Sequence, residues 1–145
     1  MLTAKDVRAA FGAVPYAEEL QFEVVEAGGG RAVCALPERP GLLNHLASVH
    51  AGALFTFAES VAGAAALSAF DLARFVPMVK DASIDYLRLA RGRLTGEAIV
   101  ADAAALEATA DREGKVFFPL AVELKDATGE VITRATFTYR IRKRG

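Results

Sequence analysis

Hydrophobic and polar positions change period along the chain, and each change marks an element. Residues 3–11 put Val7, Ala10 and Phe11 on one side, with Thr3 as N-cap and Asp6 three places on, predicting a short helix. From Glu19 to Val24, Leu20, Phe22 and Val24 alternate with Gln21 and Glu23, predicting a half-buried strand. Gly28-Gly29-Gly30 and then Arg31 to Leu36 complete a hairpin signal. Pro37, Pro40 and Gly41 end regular structure, and a loop runs to about Val49. Ala51 to Phe70 is apolar nearly all round, with Glu59 its single charge, as expected of a buried helix. Its length alone permits a membrane span. Alanine dominates it, however, and strand patterns surround it, so a core helix of a soluble domain is expected.

Phe75 to Leu89 reads as a long strand, with Ala82, Ile84 and Tyr86 on one face and Ser83 and Asp85 on the other. Arg91-Gly92-Arg93 is a turn. Leu94 to about Thr109 stays open between helix, favoured by its alanines, and strand, permitted by the spacing of Leu94, Gly96, Ala98 and Val100. Asp111 to Gly114 is expected to turn. Lys115 to Lys125 is a strand in which Pro119 implies an edge or a bulge. Asp126 to Gly129 turns again, and Val131 to Ile141 alternates with period two. The fold class is therefore α+β: an antiparallel sheet of five to six strands wrapped around one long helix.

The 145 residues suit a single domain, 1–145, and 53% hydrophobic residues suffice for a sizeable core. A net charge of −1 gives no reason to expect a nucleic-acid partner, and the basic run from Arg140 to Arg144 reads as a solvated end. Cys34 is the only cysteine, so no internal disulfide forms. The N-terminal stretch lacks the pattern of a signal peptide. A cytoplasmic protein with no membrane association is expected.

Candidate chemistry concentrates between Asn44 and Gly63. A carboxylate in an apolar helix is costly to bury unless paired or protonated. Thr56, Glu59, Ser60 and Gly63 form one polar, small-residue stripe, suited to a cleft holding one acid. Burial there raises the acid towards the range of a general base. Ala51 and Gly52 fall in the first turn after His50, where unpartnered N–H groups and the helix dipole favour a developing oxyanion. Gly52 would also allow close approach of a substrate. Asn44, in the loop, is placed to orient water or bind a carbonyl. His50 reads as a cap or structural hydrogen-bonder, and His45 as a loop residue. No metal is expected, because His45, His50 and Glu59 match no zinc spacing. Arg88, Arg91 and Arg93 are candidates for binding phosphates.

Taken together, these residues resemble the hotdog-fold thioesterases of the phenylacetate-degradation type. That pattern is an asparagine, a histidine six residues on with two small residues after it, and an acid nine residues beyond the histidine; here these are Asn44, His50, Ala51-Gly52 and Glu59. Lys80-Asp81-x-Ser83-Ile84-x-Tyr86-Leu87-x-x-Ala90-Arg91-Gly92 looks like the strand after the central helix in a poorly characterised branch of the superfamily. The likeness spans residues 10–142. It implies a hotdog domain that forms a homodimer, often then a homotetramer, with its active site at the dimer interface. Glu59 of one subunit would act as base or nucleophile on an acyl- or aroyl-CoA. Asn44 and the Ala51 amide of the other would handle water and the thioester carbonyl. Thr56 and Ser60 would line the substrate, His50 would support the loop, and no cofactor beyond the CoA of the substrate is implied. Ala51 stands where a glycine is usual, and Glu59 where aspartate is commoner. The strand hydroxyl of some relatives falls at Val79 and is missing. Two other readings remain: a 3-hydroxyacyl-thioester dehydratase using His45 and Glu59, and a non-catalytic acyl-thioester binder.

Overall fold

The computed structural model describes residues 2–145. Helix α1 (Ala4–Gly12) starts at a reciprocal capping box, Thr3 accepting from the Asp6 amide while Asp6 accepts from the Thr3 amide at 2.8 Å. A second helix, α2 (Pro15–Leu20), occupies part of the segment expected to be strand. Pro15 presets its first turn. Gln21, with φ 55°, then reverses the chain, so strand β1 begins only at Glu23 (Glu23–Gly28). Leu20 and Phe22 alternate in sequence but belong to different elements.

Strand β2 (Arg31–Leu36) pairs back on β1 through a turn in which Gly29 and Gly30 take φ of 59° and 89°. A short 3₁₀ turn (Pro40–Leu42) leads into the loop before helix α3 (Ala51–Ala69). Strand β3 (Phe75–Tyr86) follows. The segment left open by sequence divides into both alternatives, strand β4 (Leu94–Ile99) and helix α4 (Ala103–Glu113). Asp102 caps α4 by accepting from the Ala105 amide. The turn expected at Asp111 to Gly114 is mostly the last turn of α4, and only Gly114, with φ 87°, leaves it. Strands β5 (Lys115–Lys125) and β6 (Val131–Lys143) complete the chain.

The six strands form one antiparallel sheet in the order β1-β2-β4-β5-β6-β3. Strand β4 meets β5 only from Glu123 to Lys125, so Pro119 lies where β5 has no neighbour on that side and its missing N–H costs no ladder bond there. The sheet curls around α3, whose Phe57, Ala58, Val61, Ala62, Ala64 and Ala65 are fully buried. A Cβ on Gly96 would lie 2.8 Å from Leu124 and 3.0 Å from Val61, so this glycine sets how closely α3 approaches β4. Helix α3 has the length and mean hydropathy (1.3) of a membrane span, yet it is the core helix the alanine content implied. Strand β3 is paired on one side only, to β6, and residues Met78 to Ser83 along it are exposed.

Candidate functional site

Glu59 sits in the third turn of α3 and is half-buried. Tyr139, on the inward face of β6 and only 3% exposed, donates its hydroxyl to Glu59 Oε1 at 3.0 Å. No cation pairs with this carboxylate among the described residues. Burial pushes Glu59 above the usual carboxylate range, and the bond from Tyr139 partly opposes that. Burial and the facing carboxylate also push the ionisation of Tyr139 upwards, so its hydroxyl remains a donor. Tyr139 is directly opposite Val79 in the β3–β6 ladder, and paired side chains share a face. The hydroxyl missing at Val79 is thus present on its cross-strand neighbour.

The loop before α3 is built on Asn44. Leu43 and Val49 form an isolated bridge, and between them Asn44 Oδ1 accepts from the Leu46 amide (2.9 Å), the Ser48 amide (3.2 Å) and the Ser48 hydroxyl (3.1 Å). Ala47 takes a left-handed φ of 54° to close the turn. The Val49 amide bonds to Ala90 O and the His50 amide to Leu42 O, both at 2.8 Å, which anchors the loop to its neighbours. Asn44 Oδ1 is therefore fully engaged, while its Nδ2 donors meet no protein acceptor among the described residues. His45 is exposed and makes no side-chain bond.

His50 is the N-cap of α3, its Nδ1 accepting from the Gly52 amide at 2.8 Å. Two expectations for Gly52 are corrected here. Its N–H is taken by the cap, and its missing side chain makes room for the imidazole, since a Cβ would lie 3.1 Å from His50 Nδ1. The Ala51 N–H has no acceptor among the described residues and remains open to a ligand. Tyr86, near the end of β3, donates to the Ala51 carbonyl at 3.3 Å.

The polar stripe along α3 is mostly satisfied by the helix itself. Thr56 donates to Gly52 O at 2.9 Å and Ser60 to Thr56 O at 2.7 Å. Ser60, 2% exposed, presents nothing to a substrate, whereas Thr56 lines a cavity beside α2. The three arginines have separate partners. Arg88 pairs with Glu130 at 3.5 Å, Arg93 with Glu23 at 2.7 Å, and Arg91 donates to Leu46 O at 3.2 Å. Arg91 thereby braces the Asn44 loop, and each of the three exposed guanidinium groups gives part of its donor set to a partner within the chain. Tyr139 escaped the sequence reading because it looks like any inward residue of a period-two strand. The available signal was that a buried tyrosine hydroxyl needs a partner and Glu59 is the lone acid of the apolar helix.

Ala51 and Glu59 are eight residues apart on one helix, so about 12 Å separates them along its axis. One thioester carbonyl cannot meet both groups of a single chain.

The chain matches, over residues 4–141, the family described as a domain of unknown function, DUF4442. No curated protein matches it. Among solved structures it is similar to PA5026 of Pseudomonas aeruginosa, a protein of unknown function described as a probable thioesterase, with 32% identity over 99% of this chain and 97% of that one (TM-score 0.90). The PaaI protein of the Escherichia coli phenylacetic acid degradation operon shares the fold at 20% identity, over 97% and 92% of the two chains (TM-score 0.75). So does a hypothetical thioesterase of Streptococcus pneumoniae solved with coenzyme A, at 19% identity over 94% and 98% (TM-score 0.73). The chain belongs to the DUF4442 family, and its sheet-wrapped helix is the hotdog fold of the PaaI-like thioesterases.

Proposed function

We propose that the protein hydrolyses an acyl- or aroyl-CoA thioester to the free acid and CoA, at a site shared by two copies of the chain. The observation that carries this reading is the half-buried Glu59 carboxylate, held by Tyr139 alone and raised by burial. The open Ala51 N–H and Asn44 Nδ2 supply a pair of donors for the carbonyl oxygen, at a helix start where negative charge is stabilised. Their distance from Glu59 within one chain is what calls for the second copy. Strand β3, with its free edge and exposed face, is the natural seam, since an unpaired edge strand pairs readily with another. The coenzyme A bound to the Streptococcus pneumoniae protein supports CoA as the carrier.

In the water route, Glu59 takes a proton from water and the hydroxide adds to the carbonyl carbon. The oxyanion rests on Ala51 N–H and Asn44 Nδ2 of the partner copy. The C–S bond then breaks, and the CoA thiolate takes up the proton. In the nucleophile route Glu59 itself attacks the carbonyl carbon, the C–S bond breaks to release the CoA thiolate, and water cleaves the resulting anhydride. Label found in Glu59 after a single turnover in heavy-oxygen water would establish the second route, with water attacking the glutamyl carbonyl of the anhydride.

The test is thiol release from a panel of short, long and aromatic acyl-CoAs. Glu59→Gln, which keeps shape and removes the charge, should lose at least ~100-fold in kcat with its folded dichroism intact. Equal rates in wild type and variant would reject the role of Glu59. Tight acyl-CoA binding without turnover would make the protein a non-catalytic binder. Light scattering reads whether the chain is a dimer, as the site requires, and whether dimers pair into tetramers.

A further inference from the structure

Beside the first two turns of α3 lies a cavity of about 350 Å³. Its walls are Tyr16 and Leu20 from α2, Leu42 and Leu43 from the loop, and Ala53 and Thr56 from α3. His50 and Gly52 also border it, which puts it beside the helix start that bears the Ala51 N–H, and Leu43 immediately precedes Asn44 in the loop. The interior surface is mainly aliphatic. At its border, the Glu19 carboxylate has no cation partner among the described residues, and Arg39 donates to the Glu19 carbonyl close by. Glu19 is the only acidic or basic side chain other than His50 among the described residues of the lining, so an anionic acyl group would meet a like charge there.

Tyr16 forms the outer wall. It is 71% exposed, and its hydroxyl reaches Thr56 Oγ1 only at 3.5 Å, the limit of a hydrogen bond. Little holds this ring in place, and its displacement would lengthen the cavity towards solvent. Ala53 is the smallest side chain of the α3 wall, and any larger residue there would project into the space.

We propose that this cavity is the acyl-group pocket and that α2 sets the acyl specificity of the enzyme. This rests on the thioesterase reading above. The occupant is a neutral aliphatic or aromatic acyl group of medium size. A volume near the lower end of the range for ligand sites, roughly 300–1,000 Å³, fits a phenylacetyl or octanoyl group better than a long fatty chain. Tyr16 and Ala53 are specificity-determining residues rather than catalytic ones.

Two variants and two measurements test this. In Ala53→Leu the ratio of kcat/KM for octanoyl-CoA to that for acetyl-CoA should fall at least ~10-fold, as expected when methylenes compete for one pocket. In Tyr16→Ala the preferred chain length should move upwards, with dodecanoyl-CoA gaining relative to octanoyl-CoA. Calorimetry with octyl-CoA, a thioether that cannot be hydrolysed, provides a readout independent of turnover. Wild type should bind it at least tenfold more tightly than CoA, and Ala53→Leu should lose that advantage. If octyl-CoA shows the advantage and the variant abolishes it while no thioester is cleaved, the pocket stands and the hydrolytic reading falls. If thioesters are cleaved but both variants keep the wild-type chain-length profile, the pocket assignment is wrong.

Discussion

Replacing Tyr139 by phenylalanine removes one oxygen and the only side-chain hydrogen bond to the Glu59 carboxylate among the described residues. The ring keeps its volume, so packing in β6 is nearly preserved. Burial raises the carboxylate, and the hydrogen bond from Tyr139 opposes that rise. A hydrogen bond to a charged group is worth roughly 1.5–3 kcal/mol. Its loss disfavours the ionised form by about that amount, or roughly 10- to 100-fold in the ionised fraction at a pH on the acidic limb. If ionised Glu59 is the active species, the acidic limb of kcat should move to higher pH in Tyr139→Phe, and the two profiles should converge at alkaline pH. Stability moves in a related way. The folded-state pKa of Glu59 lies above its unfolded value, so between the two the native state holds the extra proton and stability falls as pH rises. Tyr139→Phe extends that window upwards. The assay is CoA thiol release from about pH 5 to 9, with thermal melts at the same values. A loss of equal size at every pH would refute the reasoning, since it would show Tyr139 orienting the acid without tuning it.

Asn44 carries two roles that substitution can separate. Asn44→Asp keeps the Oδ1 acceptor of three loop bonds and loses the Nδ2 donors, so kcat should drop about 100-fold or more with little change in Tm. Asn44→Ala loses both, and urea unfolding should show an additional cost of roughly 2–4 kcal/mol. Gly96→Ala tests the core instead, because its Cβ would lie 2.8 Å from Leu124 and 3.0 Å from Val61. Overpacking of this kind should cost about 1–3 kcal/mol in urea unfolding while the folded fraction keeps its KM.

Most elements were legible because their hydrophobic period matched their final environment. The β6 alternation and the all-round apolar α3 each meet the packing their patterns imply. Failures came where a local backbone preference overrode the pattern. Leu20, Phe22 and Val24 alternate convincingly, yet Pro15 starts a helical turn before them and Gln21 enters the left-handed region between them. The ambiguity after Leu94 was real, since Gly96 and Ala98 serve a strand packed on α3 while the alanines after Asp102 form a helix. Composition alone could not locate the break at residues 100–102.

The candidate site was legible as residue types but not as available atoms. Sequence placed Gly52, Ser60 and three arginines in the site because their chemistry suits it. The fold reveals partners for them: the His50 ring takes the Gly52 N–H, the Thr56 carbonyl takes the Ser60 hydroxyl, and Glu130, Glu23 and Leu46 each engage part of one exposed guanidinium. Beside them, Ala51 N–H, Asn44 Nδ2 and the second oxygen of Glu59 have no partner among the described residues. Ala51 is exposed and Asn44 and Glu59 are half-buried, so these atoms stay available to a ligand. On one chain they point at no common atom, with about 12 Å of helix between the Ala51 amide and Glu59. A second copy brought in along β3 would give them a shared target. The same contact that buries the exposed edge of β3 would therefore complete the catalytic constellation, so activity and dimerisation should fail together under any change that splits β3 from its partner.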